Sequence, residues 1–136
     1  MQVREFHTTI ATSVQQDAVA ELIIGIDRDP VFGPYLIVGS GGILVELVGD
    51  SRLLLLPASR DEIAAAIGSL KVATLLKGYR SKPAGDIDAA IEAVLAIQRF
   101  ALATSSRLLE LDVNPLIVRP QGAVAVDVLI RLAREA

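Results

Sequence analysis

The residues with the clearest chemical potential lie in the stretch ELDVNP, residues 110–115. Read as a strand, this stretch places Glu110, Asp112 and Asn114 on one face, because side chains alternate along a strand with a period of two. Three oxygen-bearing side chains in a row are costly to bury unless a positive charge meets them. Mg2+ suits such a row, because proteins hold it with one or two carboxylates together with substrate phosphates. The stretch therefore predicts a divalent-cation site.

A second acidic residue is predicted to face the same point. The segment RPQG at 119–122 has turn composition, and AVAVDV at 123–128 is typical of a return strand. A hairpin folded there brings Asp127 opposite residues 114 to 116, so Asn114 and Asp127 could share one metal ion. The alternative is an edge hairpin whose polar face meets only water, since polar-out alternation is common in antiparallel sheets. The spacing by itself leaves both interpretations open.

Size and composition exclude several function classes. A chain of 136 residues suits one domain, and with 52% apolar but only 4% aromatic residues its core must be aliphatic. A net charge of −3 without a basic stripe argues against nucleic acid as a partner. The absence of cysteine excludes disulfides and thiolate chemistry and suits the cytoplasm. Apolar runs such as residues 53–58 are too short to span a membrane, and we expect no membrane association.

The first part of the chain is predicted to form strands. Gly49 and Asp50 form a hairpin turn signal, and the GSGG segment at 39–42 is predicted to be a flexible link between strands. Runs of β-prone residues bounded by turn residues lie at 3–12, 20–27, 35–39, 43–48 and 52–56.

Helical signals follow the strands. Ser59 and Glu62 fit a capping box, in which the two side chains satisfy free backbone N–H groups at the start of a helix reaching about Leu70. Asp86 is predicted to cap a long helix that ends near Ser106. The remaining predictions are a short helical turn near 72–77, a mobile loop at 78–85 and a short helical end at 129–136.

This order of elements predicts the fold class. Strands joined by hairpins and followed by helices imply a two-layer α+β domain, with a mainly antiparallel sheet and helices packed on one side. No glycine fingerprint follows a strand and opens a helix, so a dinucleotide-binding fold is unsupported. Residues 1–136 are read as a single domain.

Four segments, taken together, resemble a known family. ELIIGIDRDPVFGPYLIVGSGGILVELVGD, LLKGYR, LELDVNPLIV and AVAVDV occur in the order seen in the ATP-grasp region of ADP-forming acyl-CoA (acetyl-CoA) synthetases. Succinyl-CoA synthetase β subunits are similar more distantly. The resemblance runs from about residue 14 to the C-terminus, whereas residues 1–13 match weakly. It implies that the chain is the C-terminal subdomain of an ATP-grasp domain.

The resemblance also implies an activity. Such enzymes interconvert acyl-CoA, ADP and phosphate with acid, CoA and ATP, through a phosphohistidine that belongs to another domain. Their ATP-grasp part holds Mg2+ and ATP or ADP. The family's magnesium ligands, an Asn in an NPL motif and an Asp on the following strand, match Asn114 and Asp127 here. Asp112 is the next candidate ligand, followed by Glu110.

Five further positions are weaker candidates. Gly41 and Gly42 could present backbone N–H groups to a phosphate, or could simply connect two strands. Glu21 opens a strand that lines the nucleotide cleft in the family, and it could touch the ribose or base or have a structural role. Glu46 could contact nucleotide or face solvent. Arg80 could clamp a phosphoryl group, since arginine forks suit phosphate oxygens, or could remain solvated in its loop.

The chain is expected to be part of a larger protein. The resemblance implies an N-terminal ATP-grasp subdomain with a phosphate-binding lysine, together with CoA-binding and phosphohistidine domains, and this sequence has no room for them. The isolated chain is therefore expected to lack ligase activity and to bind ATP weakly or not at all. An exposed apolar face would favour self-association. The alternative is a regulatory ligand-binding module of a lysine acetyltransferase, because synthetase-like proteins also occur fused to such enzymes.

Overall fold

An antiparallel sheet is the frame of the molecule in the computed structural model, which describes residues 3–9, 17–41 and 49–134. The strands in these ranges are β1 (Val3–Thr9), β2 (Ala20–Asp29), β3 (Gly33–Ser40), β4 (Ser51–Leu55), β5 (Leu108–Val118), β6 (Ala123–Ala125) and β7 (Asp127–Ala133). The helices in the same ranges are α1 (Arg60–Ser69), α2 (Ala73–Leu76) and α3 (Ile87–Ala103). The strand order is β1-β7-β5-β2-β3-β4, with β6 beside β5. The predicted α+β class with a mainly antiparallel sheet is confirmed.

The core lies between the sheet and the helices. Alternate residues of β2 point into it, and Leu22, Ile24 and Ile26 are at most 2% exposed. They belong to one aliphatic cluster with residues of both longer helices, including Ile63, Ile67 and Val94. Burying an aliphatic side chain of this size contributes about 1.5–3 kcal/mol. The helices therefore occupy one face of the sheet, and its other face is left for the polar row of β5.

Both predicted helix starts are confirmed. The Ser59 hydroxyl accepts the Glu62 N–H at 3.1 Å, and the Glu62 carboxylate accepts the Ser59 N–H at 3.0 Å. Asp86 caps α3 by accepting the Ala89 N–H at 3.0 Å and also accepts the Gly122 N–H at 2.8 Å. The bond from Gly122, followed by that from Ala89, holds the pKa of Asp86 below its usual value. None of the helices in the described ranges is both long enough and apolar enough to cross a bilayer.

The predicted helical end at 129–136 is wrong for the residues that the structure describes there. Leu129 to Ala133 continue β7, which pairs with β1 on one side and β5 on the other. A strand hydrogen-bonded on both edges satisfies its backbone groups as fully as a helix does. The predicted return strand at 123–128 is divided at Val126 into β6 and the start of β7. The predicted strand at 43–48 lies outside the described residues.

A buried glutamine joins the middle of α3 to the segment before α1. Gln98 is 7% exposed. Its Nε2 donates to the carbonyl oxygen of Ala58 at 2.9 Å, and its Oε1 accepts the Ala58 N–H at 2.7 Å. One side chain thus satisfies both backbone groups of a buried residue, which links two elements that are distant in sequence.

Candidate magnesium and nucleotide site

The sheet register places Asn114 and Asp127 side by side. Val113 of β5 lies opposite Val128 of β7, and Leu116 lies opposite a residue of β6 in the same continuous register. Asn114 is therefore directly opposite Asp127, where Cβ atoms on one face of a sheet lie about 4.5–5.5 Å apart. Val113 is buried on the helix side, so its neighbour Asn114 projects from the opposite, open face. The predicted approach of the two residues is confirmed.

The two side chains open into a cavity of about 300 Å³. Asp112 and Leu129 form its floor on β5 and β7, and Glu5 approaches from β1. Asn114 is exposed, whereas Asp112 and Asp127 are half-buried. The cavity therefore presents an amide oxygen and three carboxylates, those of Glu5, Asp112 and Asp127, to a ligand that enters from the open face.

The charge of this cavity is unbalanced toward the negative. Burial raises the pKa of Asp112, and the neighbouring carboxylates of Glu110 and Asp127 raise it further. Glu110 is itself paired with Arg131, whose Nη1 lies 3.2 Å from its Oε2. The guanidinium of Arg131 also lies 3.9 Å from the carboxylate of Glu5. A cation bound among Asp112, Asn114 and Asp127 would reverse the electrostatic penalty on Asp112.

The oxygen ligands offered here suit Mg2+, which keeps water and phosphate ligands, better than a metal whose ligands all come from protein. Within the described part of the chain, no three His, Cys, Asp or Glu residues converge closely enough to hold a metal by themselves. Mg2+ keeps several waters and is usually bound through one or two carboxylates together with substrate phosphates. Asp112, Asn114 and Asp127 match that pattern, so their oxygens could hold Mg2+ jointly with a nucleotide.

The other predicted nucleotide contacts lie outside this cavity. The Gly41 N–H donates to the carbonyl oxygen of Glu21 at 2.8 Å, and a Cβ on Gly41 would lie 2.9 Å from the Cβ of Glu21. Gly41 is a glycine because the backbone of β2 approaches it closely. The flexible link predicted at 39–42 is wrong for Gly39 and Ser40, which complete β3. Gly42 lies outside the described residues, as does the predicted nucleotide contact Glu46.

Arg80 lies in the loop between α2 and α3. Its guanidinium carbon is 5.1 Å from the ring centroid of Tyr79, and its backbone has a φ of 51°. Arg80 does not line the cavity of Asn114 and Asp127. The structure therefore does not bring Arg80 to the candidate metal ligands, and its predicted role as a phosphoryl clamp stays a prediction.

Two lining residues were missed by sequence reasoning. Glu5 reaches the cavity because β1 pairs with β7, with Glu5 opposite Arg131. Leu129 lines it because β7 continues past residue 128. A strand pairing between the two ends of the chain leaves no local signal, although the β-prone composition of residues 3–9 is consistent with it.

Fold and site together define a class of protein, a domain whose antiparallel sheet has helices on one face and a row of oxygen-bearing side chains on the other. The chain belongs to the ATP-grasp domain family, whose family model matches residues 3–132. It is homologous to ADP-forming acetyl-CoA synthetases. The acetate–CoA ligase [ADP-forming] I of Archaeoglobus fulgidus is 34% identical over 119 residues, which are 88% of this chain and 17% of that protein.

A subunit and a solved structure of acetyl-CoA synthetases are also similar to this chain. The acetate–CoA ligase [ADP-forming] II subunit beta of Pyrococcus furiosus is 32% identical over 82% of this chain and 48% of its own length. Acetyl-coenzyme A synthetase 1 of Ca. Korarchaeum cryptofilum, in complex with coenzyme A and Mg-AMPPCP, superposes with a TM-score of 0.77 at 36% identity. That match covers 85% of this chain and 53% of the other. The chain thus spans about a sixth of one relative and about half of the subunit.

The raised pKa of Asp112 leads to a stability prediction. The folded chain holds the Asp112 proton more tightly than the unfolded chain does, so the ionised carboxylate lowers stability as pH rises above about 3.8. Asp112→Asn is therefore expected to raise the free energy of unfolding of the metal-free chain at pH 7. The expected gain lies near the lower end of the about 0.5–2 kcal/mol that optimisation of surface charges commonly yields. Urea denaturation at pH 7 and below pH 4 measures this, and the gain should vanish at the lower pH.

Asp27→Asn provides the matched control for that measurement. Asp27 is an exposed aspartate on β2, and its replacement removes the same charge from the same kind of element. Little change in stability is expected for it at either pH. A metal-free Asp112→Asn variant that is less stable than the wild type at pH 7 would contradict the proposed charge imbalance.

Proposed function

We propose that this chain forms the magnesium- and nucleotide-binding part of the ATP-grasp site in an ADP-forming acyl-CoA synthetase. The single observation that carries the proposal is the position of Asn114 directly opposite Asp127 on the open sheet face. The complete enzyme would convert acyl-CoA, ADP and phosphate to acid, CoA and ATP, or the reverse. A phosphohistidine in another domain would carry the phosphoryl group.

Each residue of the cavity has a proposed role. The amide oxygen of Asn114 and the carboxylate of Asp127 hold Mg2+ from adjacent strands, and Asp112 contributes the second carboxylate. Mg2+ held by these residues would neutralise phosphate charge during phosphoryl transfer. Glu110 pairs with Arg131 and does not line the cavity, so the other three residues are the proposed metal ligands.

The remaining parts of the site are proposed to come from further polypeptide. The nucleotide would lie between this sheet face and an N-terminal ATP-grasp subdomain, and Glu21 remains a proposed nucleotide contact. The Gly41 N–H donates to the carbonyl oxygen of Glu21 and is not available to a phosphate. The length of the relatives supports this, because the matched segment is 17% of one relative and 48% of another. We place the protein in the cytoplasm on the strength of its cysteine-free composition.

Calorimetric titration of the complete protein with ADP tests the proposal. Binding is expected in the presence of Mg2+ and is expected to weaken strongly in EDTA. Asn114→Ala and Asp127→Ala should each weaken the Mg2+-dependent binding by at least about tenfold, since each removes a metal ligand. Asp88→Ala, which alters an exposed aspartate on α3, should bind like the wild type. Unchanged Mg2+-dependent affinity in both ligand variants would refute the assignment.

A further inference from the structure

The tip of the hairpin between β2 and β3 presents two neighbouring large apolar side chains to solvent. Val31 is 82% exposed and Phe32 is 71% exposed. A single exposed apolar residue is ordinary on a protein surface. An exposed phenylalanine at a projecting tip, with an apolar neighbour beside it, is typical of an interface residue, because Phe is enriched in protein interfaces.

The tip is held rigid by its own residues. Oδ1 of Asp29 accepts the Val31 N–H at 2.7 Å and the Phe32 N–H at 2.9 Å. Both bonds lower the pKa of Asp29, and the bond from the Phe32 N–H lowers it more than the bond from the Val31 N–H. Gly33 follows with a φ of 83°, a conformation that favours glycine. The two apolar side chains are therefore presented in a preorganised turn, which lowers the entropy lost when a partner binds them.

The base of the hairpin is fixed to the rest of the domain. The Arg28 guanidinium donates to the carbonyl oxygen of Ser105, beyond the end of α3. On the other side, the Leu56 N–H donates to the carbonyl oxygen of Pro34 at 3.3 Å. These bonds tie both strands of the hairpin to neighbouring segments. The exposure of the tip is therefore built into the fold.

The tip is well separated from the candidate metal site. Gly25 of β2 lies opposite Asp112 of β5, and Asp29 is four residues farther along β2, about 13 Å at the rise of a strand. A partner seated on Val31 and Phe32 would therefore leave the cavity of Asn114 and Asp127 open.

The charges beside the tip indicate the chemistry of the partner. Asp27 and Asp29 both precede the apolar pair, and Asp27 is exposed. Arg28, the cation between them, donates to Ser105. An apolar socket with a lysine or arginine on its rim would match both the side chains and the local negative charge.

We propose that Val31 and Phe32 anchor this domain in such a socket on another part of the synthetase. The inference rests on the proposed function, because only a multidomain or multisubunit enzyme supplies that partner. The matched segment makes up 17% of one relative and 48% of a relative that is a β subunit. Both relatives therefore have further polypeptide that could carry the socket. Phe32 fills the socket, and Val31 packs at its edge.

Thiol labelling tests the proposal, because the chain has no cysteine of its own. With V31C, which keeps Phe32, maleimide labelling is expected to be at least about tenfold slower in the complete protein than in the isolated chain, as for a site shielded by an interface. Adding F32S to V31C should restore the rate of the isolated chain. D88C is the control, since the Asp88 side chain is 89% exposed on α3, and its labelling rate should be the same in both forms.

Hydrogen exchange of wild-type amides 28–34 provides a second measurement that needs no substitution. Slower exchange in the complete protein supports docking of the tip. Equal labelling rates and equal exchange rates in the complete protein and the isolated chain would overturn the inference. Protection of the tip in the isolated chain that increases with chain concentration would also overturn it, because it would indicate self-association. A protected tip in a protein without Mg2+-dependent ADP binding would refute the proposed function and leave the docking surface standing.

Discussion

Replacing Asp127 with asparagine is expected to lower the proposed ADP-forming turnover of the complete protein by at least about 100-fold. Asparagine keeps the shape of the side chain and one of its oxygens, so the main change is the loss of a negative charge opposite Asn114. Phosphoryl transfer depends on metal positioning and charge neutralisation, and a metal bound by fewer carboxylates is held less firmly. Steady-state kinetics over a range of Mg2+ concentrations measures the loss.

Exchanging the two residues is the sharper form of this experiment. Asn114→Asp combined with Asp127→Asn returns one carboxylate and one amide to the same pair of opposite positions. The double variant is expected to recover at least about tenfold of the activity lost in Asp127→Asn, because the charge facing the metal is restored. Asp88→Asn controls for a change in net charge. Turnover of Asp127→Asn within about twofold of the wild type would show that Asp127 is not a metal ligand.

Replacing Gln98 with leucine is expected to lower the free energy of unfolding by about 2–4 kcal/mol, because each buried group left unsatisfied costs about 1–3 kcal/mol. Leucine has a similar volume but offers no partner to the N–H and the carbonyl oxygen of Ala58, which Gln98 contacts at 2.7 and 2.9 Å. Ala58 is itself 4% exposed, so water does not readily replace the lost bonds. Urea denaturation followed by circular dichroism measures the change.

Two variants distinguish the loss of the hydrogen bonds between Gln98 and Ala58 from a general effect of altering α3. Gln98→Glu keeps an acceptor for the Ala58 N–H but loses the donor and adds a buried charge, so it should also be destabilised. Arg99→Ala changes the exposed neighbouring residue on the same helix and should alter stability by less than about 0.5 kcal/mol. If Gln98→Leu fell within that small range, the two hydrogen bonds would have little net effect on folding.

Features governed by neighbouring residues could be predicted from the sequence. The capping box of Ser59 and Glu62 depends on a three-residue spacing, and the Asp86 cap on an equally short one. The pairing of Asn114 with Asp127 depends on a turn only a few residues from each. In these cases the partners are close in the chain, so little chain entropy opposes their contact.

The residues that sequence reasoning missed are joined by long-range contacts. Gln98 clamps Ala58 across 40 residues, and Glu5 reaches the cavity through pairing of β1 with β7. The segment from Leu129 onward was predicted to be helical because its composition does not distinguish a helix from a strand. It becomes a strand because β1 and β5 satisfy its backbone groups on both edges.

The sequence by itself determined the aliphatic core, the α+β class, the helix caps and the two oxygen-bearing side chains, Asn114 and Asp127, that face each other across a hairpin. Each of these depends on composition or on short spacings, which a single sequence carries. The tertiary structure alone decided that Asp112 lies in a cavity with Glu5, that Glu110 pairs with Arg131, and that Val31 and Phe32 stay exposed. The first two outcomes depend on pairing between strands that are distant in sequence, because the loop-closure entropy of such contacts must be overcome before they stabilise the fold. The third depends on which segments pack near the hairpin tip.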